Sequence, residues 1–167
     1  MKVAIVHDWL TGMRGGERCL EAFCELFPDA DLYTLLHIKG TVSPTIERHR
    51  ITTSFVQSFP LAARYYRYYL PVFPFAIERF RLPSYDLVLS SSHCVAKGIR
   101  PPAGGKHLCY IHSPMRYVWD QFDNYARGGR SGVVARFGME LFRKRLQAWD
   151  VASAARVDQF VASSHNI

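Results

Sequence analysis

The sequence lacks the features that mark membrane-spanning and secreted chains. Its 167 residues contain no run of about eighteen apolar residues, so we expect no membrane-spanning helix. The amino terminus becomes charged by Asp8, too early for the apolar core of a signal peptide. The four cysteines are scattered through apolar segments without a paired framework. This pattern predicts buried free thiols in a reducing cytoplasm.

Motifs of common catalytic and nucleotide-binding sites are also missing. The sequence has no G-x-G-x-x-G dinucleotide fingerprint and no Gly-Lys-Ser/Thr of a phosphate-binding P-loop. It has no G-x-S-x-G hydrolase elbow. Cys109 and His112 have C-x-x-H spacing, and His93 with Cys94 would complete a zinc site. We disfavour this site because the cysteines lie inside strand or helix patterns.

Positive charge, in contrast, is in excess. The 21 lysines and arginines outnumber the 14 aspartates and glutamates, which gives a formal net charge of +7. This balance favours a polyanionic partner: nucleic acid, an anionic membrane surface or a phosphorylated substrate. Charge alone does not choose among them.

Aromatic residues cluster with arginines between residues 59 and 81. Tyrosines alternate with arginines from Arg64 to Leu70, a pattern that suits a membrane interface or stacking on single-stranded nucleic acid. A half-buried helix that packs its tyrosines is the structural alternative. The candidates for contact with a membrane surface are Arg64, Tyr65, Arg67, Tyr68, Arg79 and Arg81.

Strand-length apolar runs alternate with helical patterns along the chain. This alternation predicts an α/β fold with a doubly wound, mostly parallel sheet and helices on both faces. The expected strands lie near residues 2–7, 32–36, 86–90, 107–111 and 158–162. The first strand is followed by an amphipathic helix that stops at Pro28, and the longest helix is expected over about 133–150.

The remaining segments give weaker signals. Residues 39–50 are polar and loop-like, and residues 51–56 are a candidate for a further strand. Residues 59–81 predict two short helices with Pro71 to Pro74 between them. Residues 127–132 form a Gly/Arg-rich loop. The three serines at 90–92 are expected to cap a helix that begins near His93 and carries Lys97.

Two positions at predicted strand ends are candidates for ligand binding. Gly15 and Gly16 follow the first strand at a helix start, where free backbone N–H groups and the helix dipole favour a phosphate. A plain tight turn, with Glu17 capping the helix, is the alternative. His112 ends another strand, so it could bind a sugar hydroxyl or transfer a proton, or simply bond to the backbone.

Taken together, these residues resemble the amino-terminal domain of group 1 glycosyltransferases (glycosyltransferase family four, GT-B fold). The likeness covers nearly the whole chain and is closest to bacterial polysaccharide-assembly mannosyltransferases. The matching strings are Val-His-Asp-Trp-Leu (6–10) with Gly-Gly-Glu-Arg (15–18), Tyr-Asp-Leu-Val-Leu-Ser-Ser-Ser-His (85–93) with Ala-Lys-Gly (96–98), Cys-Tyr-Ile-His-Ser-Pro-Met-Arg-Tyr (109–117) with Trp-Asp (119–120), and Trp-Asp (149–150) with Arg-Val-Asp (156–158).

The resemblance implies a retaining transfer of a hexose, with mannose favoured, from a nucleotide-sugar to a growing glycan, for which a lipid-linked glycan is one candidate. It implies no cofactor and no metal held by an Asp-x-Asp motif. Gly15 and Gly16 match the loop that approaches the donor diphosphate, and His112 matches the histidine that contacts the transferred sugar. Further candidates for substrate binding are His93, Lys97, Arg116 and Tyr117, whose individual roles are not assigned.

The family's carboxyl-terminal, donor-binding domain is absent from residues 1–167, which match only the acceptor-side domain. We therefore expect this chain alone to be inactive, and the full-length enzyme to act in the cytoplasm at the inner face of the membrane. The competing hypothesis is a stand-alone basic module that binds anionic lipid or nucleic acid. For a glycosyltransferase, no nucleic-acid partner is expected.

Overall fold

Six parallel strands form one twisted sheet in the computed structural model, which describes residues 1–119 and 133–162. For residues 116–117 and 133–141 it describes the backbone only. The strands run in the spatial order β3-β2-β1-β4-β5-β6, and every adjacent pair is parallel. They are β1 (Val3–His7), β2 (Asp31–Thr34), β3 (Arg50–Thr53), β4 (Leu87–Ser92), β5 (Lys106–Ile111) and β6 (Gln159–Ala162). The predicted doubly wound α/β fold is confirmed.

Helices of very different lengths connect the strands. Within the described residues, the α-helices are α1 (Gly15–Leu26), α2 (Pro44–Glu47), α3 (Ala62–Tyr65), α4 (Phe73–Glu78), α5 (Arg116–Trp119) and α6 (Val133–Ala154). The same residues include 3₁₀ helices at Phe55–Ser58, Tyr66–Val72 and Ala96–Gly98. In the part of the chain that the structure describes, no helix is long and apolar enough to cross a bilayer.

The sheet separates two apolar cores because successive side chains on a strand point to opposite faces. On one face, Ile5 packs with Leu20 and Cys24 of α1. On the other, Val6 packs with a larger cluster that includes Phe73 of α4. All five of these side chains are buried. Burial on both faces explains why the strands of the sheet's centre are nearly continuous apolar runs.

The strand predictions are confirmed, with shifts of one or two residues at their ends. The candidate strand at 51–56 is β3, which ends three residues earlier than expected. β2 ends at Thr34 because the N–H of Leu35 bonds to the carbonyl oxygen of Asp8 outside the regular ladder. The four cysteines are free thiols, as expected, and Cys19 is the one that is only partly buried.

Several predictions of helices and loops were wrong in detail. The supposed loop 39–50 contains α2, whose cap is the Ser43 hydroxyl accepting from the Ile46 N–H. The chain remains helical between Pro71 and Pro74, because the 3₁₀ helix that contains Pro71 runs directly into α4. Pro74 lies in the first turn of α4, where a residue makes no backbone N–H bond within the helix, so a proline fits there.

The end of β4 also differs from expectation. The helix expected near His93 is only the 3₁₀ turn Ala96–Gly98, while α6 extends four residues beyond position 150 to Ala154. The predicted loop at 127–132 lies outside the described residues.

Candidate functional site

The candidate site lies where the winding of the sheet reverses. From β1 the chain builds β2 and β3 on one side, then returns to place β4 on the other side of β1. Parallel α/β sheets bind ligands at the carboxyl edge of such a switch point. A cavity of about 560 Å³ opens there, which we call the switch-point cavity. It is lined by Trp9, Arg14, Gly15, Gly16, Glu17, Arg67, His93, His112 and Ser113.

The amino-terminal turn of α1 forms one wall of this cavity. The backbone N–H of Arg14 donates to Glu17 Oε2 at 3.0 Å, so the glutamate caps the turn as expected. A Cβ added at Gly16 would lie 3.6 Å from His7 Cε1 and 3.9 Å from His112 Nε2. Gly16 therefore brings bare backbone next to both histidines, at a helix end that favours an anion.

The loop after β4 is held by a buried carboxylate. Asp8, at the end of β1, is fully buried and accepts four backbone N–H bonds from residues 93–96, at 2.6–3.0 Å. Its Oδ2 also lies 3.1 Å from His93 Nδ1. Burial acts to raise the pKa of Asp8, but the histidines and these backbone donors outweigh it and lower the pKa overall. The cap of this turn is therefore mainly Asp8, and not the serines at 90–92 as predicted. Among the described residues, the Ser92 hydroxyl is the one serine hydroxyl that accepts a bond from the turn, from the Lys97 N–H.

The rings of His7, His93 and His112 lie close together at the cavity: His93 and His112 line it, and His7 is buried behind them. The hydroxyl of Ser91 lies 3.1 Å from His7 Nδ1 and 2.8 Å from His112 Nε2, so it bridges the two rings. His7 is fully buried, and its Nε2 has no hydrogen-bond partner but lies 3.8 Å from Glu17 Oε1. The ring centroids of His93 and His112 are 6.4 Å apart.

The environment keeps the two cavity-lining histidines neutral. Burial, reinforced by His7 and His93, lowers the pKa of His112 to about 4. Burial also lowers the pKa of His93, although Asp8 opposes this effect. At pH 7 each ring therefore offers a lone pair as well as an N–H, which allows it to accept a hydrogen bond from a ligand hydroxyl.

The sequence-predicted site residues divide into two groups. The structure brings Gly15, Gly16, His93 and His112 together around the switch-point cavity. It does not bring Lys97 there: this side chain is buried and donates to the Asp150 carboxylate and to Ser153 Oγ, which ties the β4 loop to α6. The side chains of Arg116 and Tyr117 lie outside the described residues.

The basic-aromatic segment is exposed as predicted, but three of its arginines line two different cavities. The six candidates for membrane contact, Arg64, Tyr65, Arg67, Tyr68, Arg79 and Arg81, are all exposed. Arg67, however, lines the switch-point cavity, whereas Arg79 and Arg81 line a second cavity of about 490 Å³ between β3 and α4. Tyr66 is buried against Trp9, with ring centroids 5.1 Å apart, so the alternative of packed tyrosines is true for this residue.

Sequence reasoning missed His7, Asp8, Ser91 and Arg67 as parts of the site. A local signal existed for the first two, because polar residues that end an apolar strand lie at the ligand-binding edge. Ser91 has the same signal, because it follows the predicted strand at 86–90, but its hydroxyl is expected there to cap a helix. Arg67 has none, since its neighbours in space are distant in the sequence. Among the residues that the structure describes, no group of three or more His, Cys, Asp or Glu side chains could hold a metal ion.

Comparison with known proteins adds no assignment. No protein-family model, curated protein or solved structure matches the chain.

Proposed function

We propose that the chain is the acceptor-side domain of a retaining glycosyltransferase that moves a hexose, with mannose favoured, from a nucleotide-sugar to a growing glycan. The observation that carries the proposal is the arrangement at the switch-point cavity. A glycine-bearing helix start and a neutral histidine, His112, face one space at the carboxyl edge of a parallel sheet. These groups fit the two parts of the donor, a diphosphate and a sugar.

The charges around the cavity support a diphosphate. Arg14 and Arg67 contribute two cations to its lining, and the α1 dipole adds partial positive charge. The carboxylate of Glu17 is buried and already bonded to the Arg14 N–H. A diphosphate would therefore meet cations and N–H donors at the glycines.

His112 would bind the sugar. A neutral imidazole can accept a hydrogen bond from a sugar hydroxyl without adding a further cation beside the diphosphate. If this contact strengthens as the glycosidic bond to the diphosphate breaks, it lowers the barrier rather than only tightening binding. Gly16 keeps the diphosphate and the ring close together, because no Cβ separates them.

A transfer assay tests this function directly. The protein is produced with the sequence that follows residue 167 in its gene, and hexose transfer from GDP- and UDP-sugars to a lipid-diphosphate-linked glycan is measured. We expect transfer with at least one donor. The chain of residues 1–167 alone should bind these nucleotide-sugars weakly or not at all by calorimetry, because the nucleoside pocket is proposed to lie in the second domain. Micromolar affinity for this chain alone would contradict that placement.

We also propose that the exposed basic-aromatic segment contacts an anionic membrane, where the lipid-linked acceptor would be held. Tyr68 and Phe75 are 80% and 57% exposed, and arginines flank both. Each basic residue at an anionic surface contributes on the order of 1 kcal/mol, and salt screens this contribution. Changing Arg64, Arg79 and Arg81 to Glu should therefore lower the affinity for anionic liposomes about a hundredfold, as measured by sedimentation.

The matched control changes three exposed cations on other parts of the surface, Arg18, Lys39 and Arg48, to Glu. Net charge changes equally in both variants. Equal losses would show a general charge effect and contradict a membrane-binding surface on this segment. Steep, sequence-independent binding to oligonucleotides would instead favour the basic-module hypothesis.

A further inference from the structure

Ser91 connects a buried histidine to the histidine of the cavity. Its hydroxyl lies within hydrogen-bond distance of His7 Nδ1 and of His112 Nε2. A hydroxyl has a single proton and two lone pairs, so Ser91 donates to at most one of these nitrogens. When both rings are neutral and the Ser91 proton is itself hydrogen-bonded to one of them, the three groups have two self-consistent arrangements, in which the N–H and O–H donors all point one way or all point the other way.

Glu17 distinguishes between the two arrangements. Its carboxylate lies 3.8 Å from the buried His7 Nε2. A proton on Nε2 is attracted by this negative charge, whereas a lone pair there is repelled. His7 is therefore the Nε2–H tautomer, and its Nδ1 accepts from Ser91. The Ser91 oxygen then accepts from His112, which places the His112 proton on Nε2.

We propose that Glu17, His7 and Ser91 are positioning residues that fix His112 as the Nε2–H tautomer, with the lone pair of Nδ1 available to a ligand hydroxyl. Among the residues whose side chains the structure describes, none is a hydrogen-bond partner of His112 Nδ1, and the His112 ring lines the cavity. The catalytic meaning of this network rests on the proposed function, but the tautomer assignment does not.

His107 provides an internal reference with the opposite tautomer. Its Nδ1 lies 3.2 Å from the carbonyl oxygen of Arg156, which can only accept, so the proton is on Nδ1. Its Nε2 then accepts from the hydroxyl of Ser90 at 2.8 Å. The histidines of the Ser90–His107 and Ser91–His112 pairs are thus expected to be opposite tautomers in one molecule.

Long-range ¹H–¹⁵N NMR of the imidazole rings tests the assignment on the chain of residues 1–167 at neutral pH. In the unchanged protein, His112 should show a protonated Nε2 and a bare Nδ1, and His107 the reverse. Ser91→Ala should remove the preference at His112 and give a mixture of tautomers. Glu17→Gln, which removes the charge but keeps the size of the side chain, should also give a mixture.

The control is Ser90→Ala, which removes the equivalent bond of His107 and should leave the His112 signals unchanged. A backbone amide spectrum reports whether each variant is folded. An Nδ1–H tautomer of His112 in the unchanged protein would overturn the proposal. An unaltered Nε2–H tautomer in folded Ser91→Ala or Glu17→Gln would overturn it as well.

The transfer assay then separates this network from the proposed function. With the sequence after residue 167 included, Ser91→Ala should lower kcat about tenfold and change KM for the donor little, as is typical for a group that orients another. No transfer in the unchanged protein would contradict the proposed function and leave the NMR result intact. If Ser91→Ala makes the tautomers of His112 a mixture but leaves kcat of the active enzyme unchanged, the positioning role of Ser91 is contradicted.

Discussion

Two neighbouring serines of β4 each bond a histidine, and the two pairs differ in what surrounds them. Ser90 bonds His107, which is fully buried and uses its second ring nitrogen on the Arg156 carbonyl. Ser91 bonds His112, whose second nitrogen faces no partner among the described residues and whose ring lines a cavity. Burial is the main cause that lowers the pKa of both histidines to about 4. A lowered pKa therefore does not by itself distinguish the two histidines. The difference on which we base the proposed role of His112 is a ring nitrogen beside a cavity without a partner among the described residues.

The largest expected effect concerns the pH dependence of the free energy of unfolding that comes from the buried Ser90–His107 pair. The pKa of His107 is about 4 in the fold and about 6.5 in an unfolded chain, so folding favours the neutral ring. Its contribution is fully present above pH 6.5 and is lost as the pH falls toward 4. This amounts to roughly 3 kcal/mol between pH 7 and pH 4.

Urea unfolding at pH 7 and pH 4 measures this loss. His107→Gln should reduce the difference between the two pH values by about that amount. His112→Gln should also reduce it, because burial lowers the pKa of His112 as well. An unchanged difference in folded His107→Gln would contradict a neutral ring at this buried position.

The next effect concerns transfer in the protein with its downstream sequence. His112→Ala should lower kcat/KM about a hundredfold or more, if the contact to the sugar strengthens in the transition state. His107→Gln should stay within a few-fold of the unchanged enzyme when assayed at pH 7. Similar losses from both variants would contradict the assignment of His112 to the reaction.

The smallest expected effect is that of one methyl group added beside the cavity histidine, with Gly16→Val as the larger comparison. A methyl group at Gly16 would make ordinary contacts with His7 and His112, so Gly16→Ala should fold normally. The methyl would still occupy part of the cavity, which should lower transfer about tenfold. Gly16→Val, with its branched Cβ, should lower it about a hundredfold. Full transfer by both variants would show that no ligand approaches this backbone.

The fold could be predicted because its signals are local. Apolar runs end at polar residues, glycines or prolines, and their alternation with amphipathic stretches leaves few other architectures. Gly16 and His112 could be placed at the ligand-binding edge for the same reason. The boundaries of the short helices between residues 59 and 81 could not, because packing of aromatic side chains, rather than helical periodicity, determines them there.

The polar network beneath the cavity could not be predicted because its members come from distant parts of the chain. His7 and Ser91 lie side by side only because β1 and β4 are adjacent in a particular register. No local pattern fixes that register across 84 residues. Likewise, the sequence predicts Lys97 as a substrate-binding residue, but the side chain pairs with the buried Asp150 on α6, which is distant in the sequence.

The buried carboxylate of Asp8 behaves as a built-in ligand. Four backbone N–H groups converge on it, as they would on a bound acetate or phosphate oxygen. Deleting the side chain in Asp8→Gly would convert an internal contact into a vacant receptor for small anions. The folding equilibrium of that variant should then depend on the concentration of added acetate or formate, whereas that of the natural chain should not. The sheet edge thus holds one turn whose anion is supplied by the chain itself, beside the turn at Gly15 and Gly16 for which we propose a ligand's diphosphate.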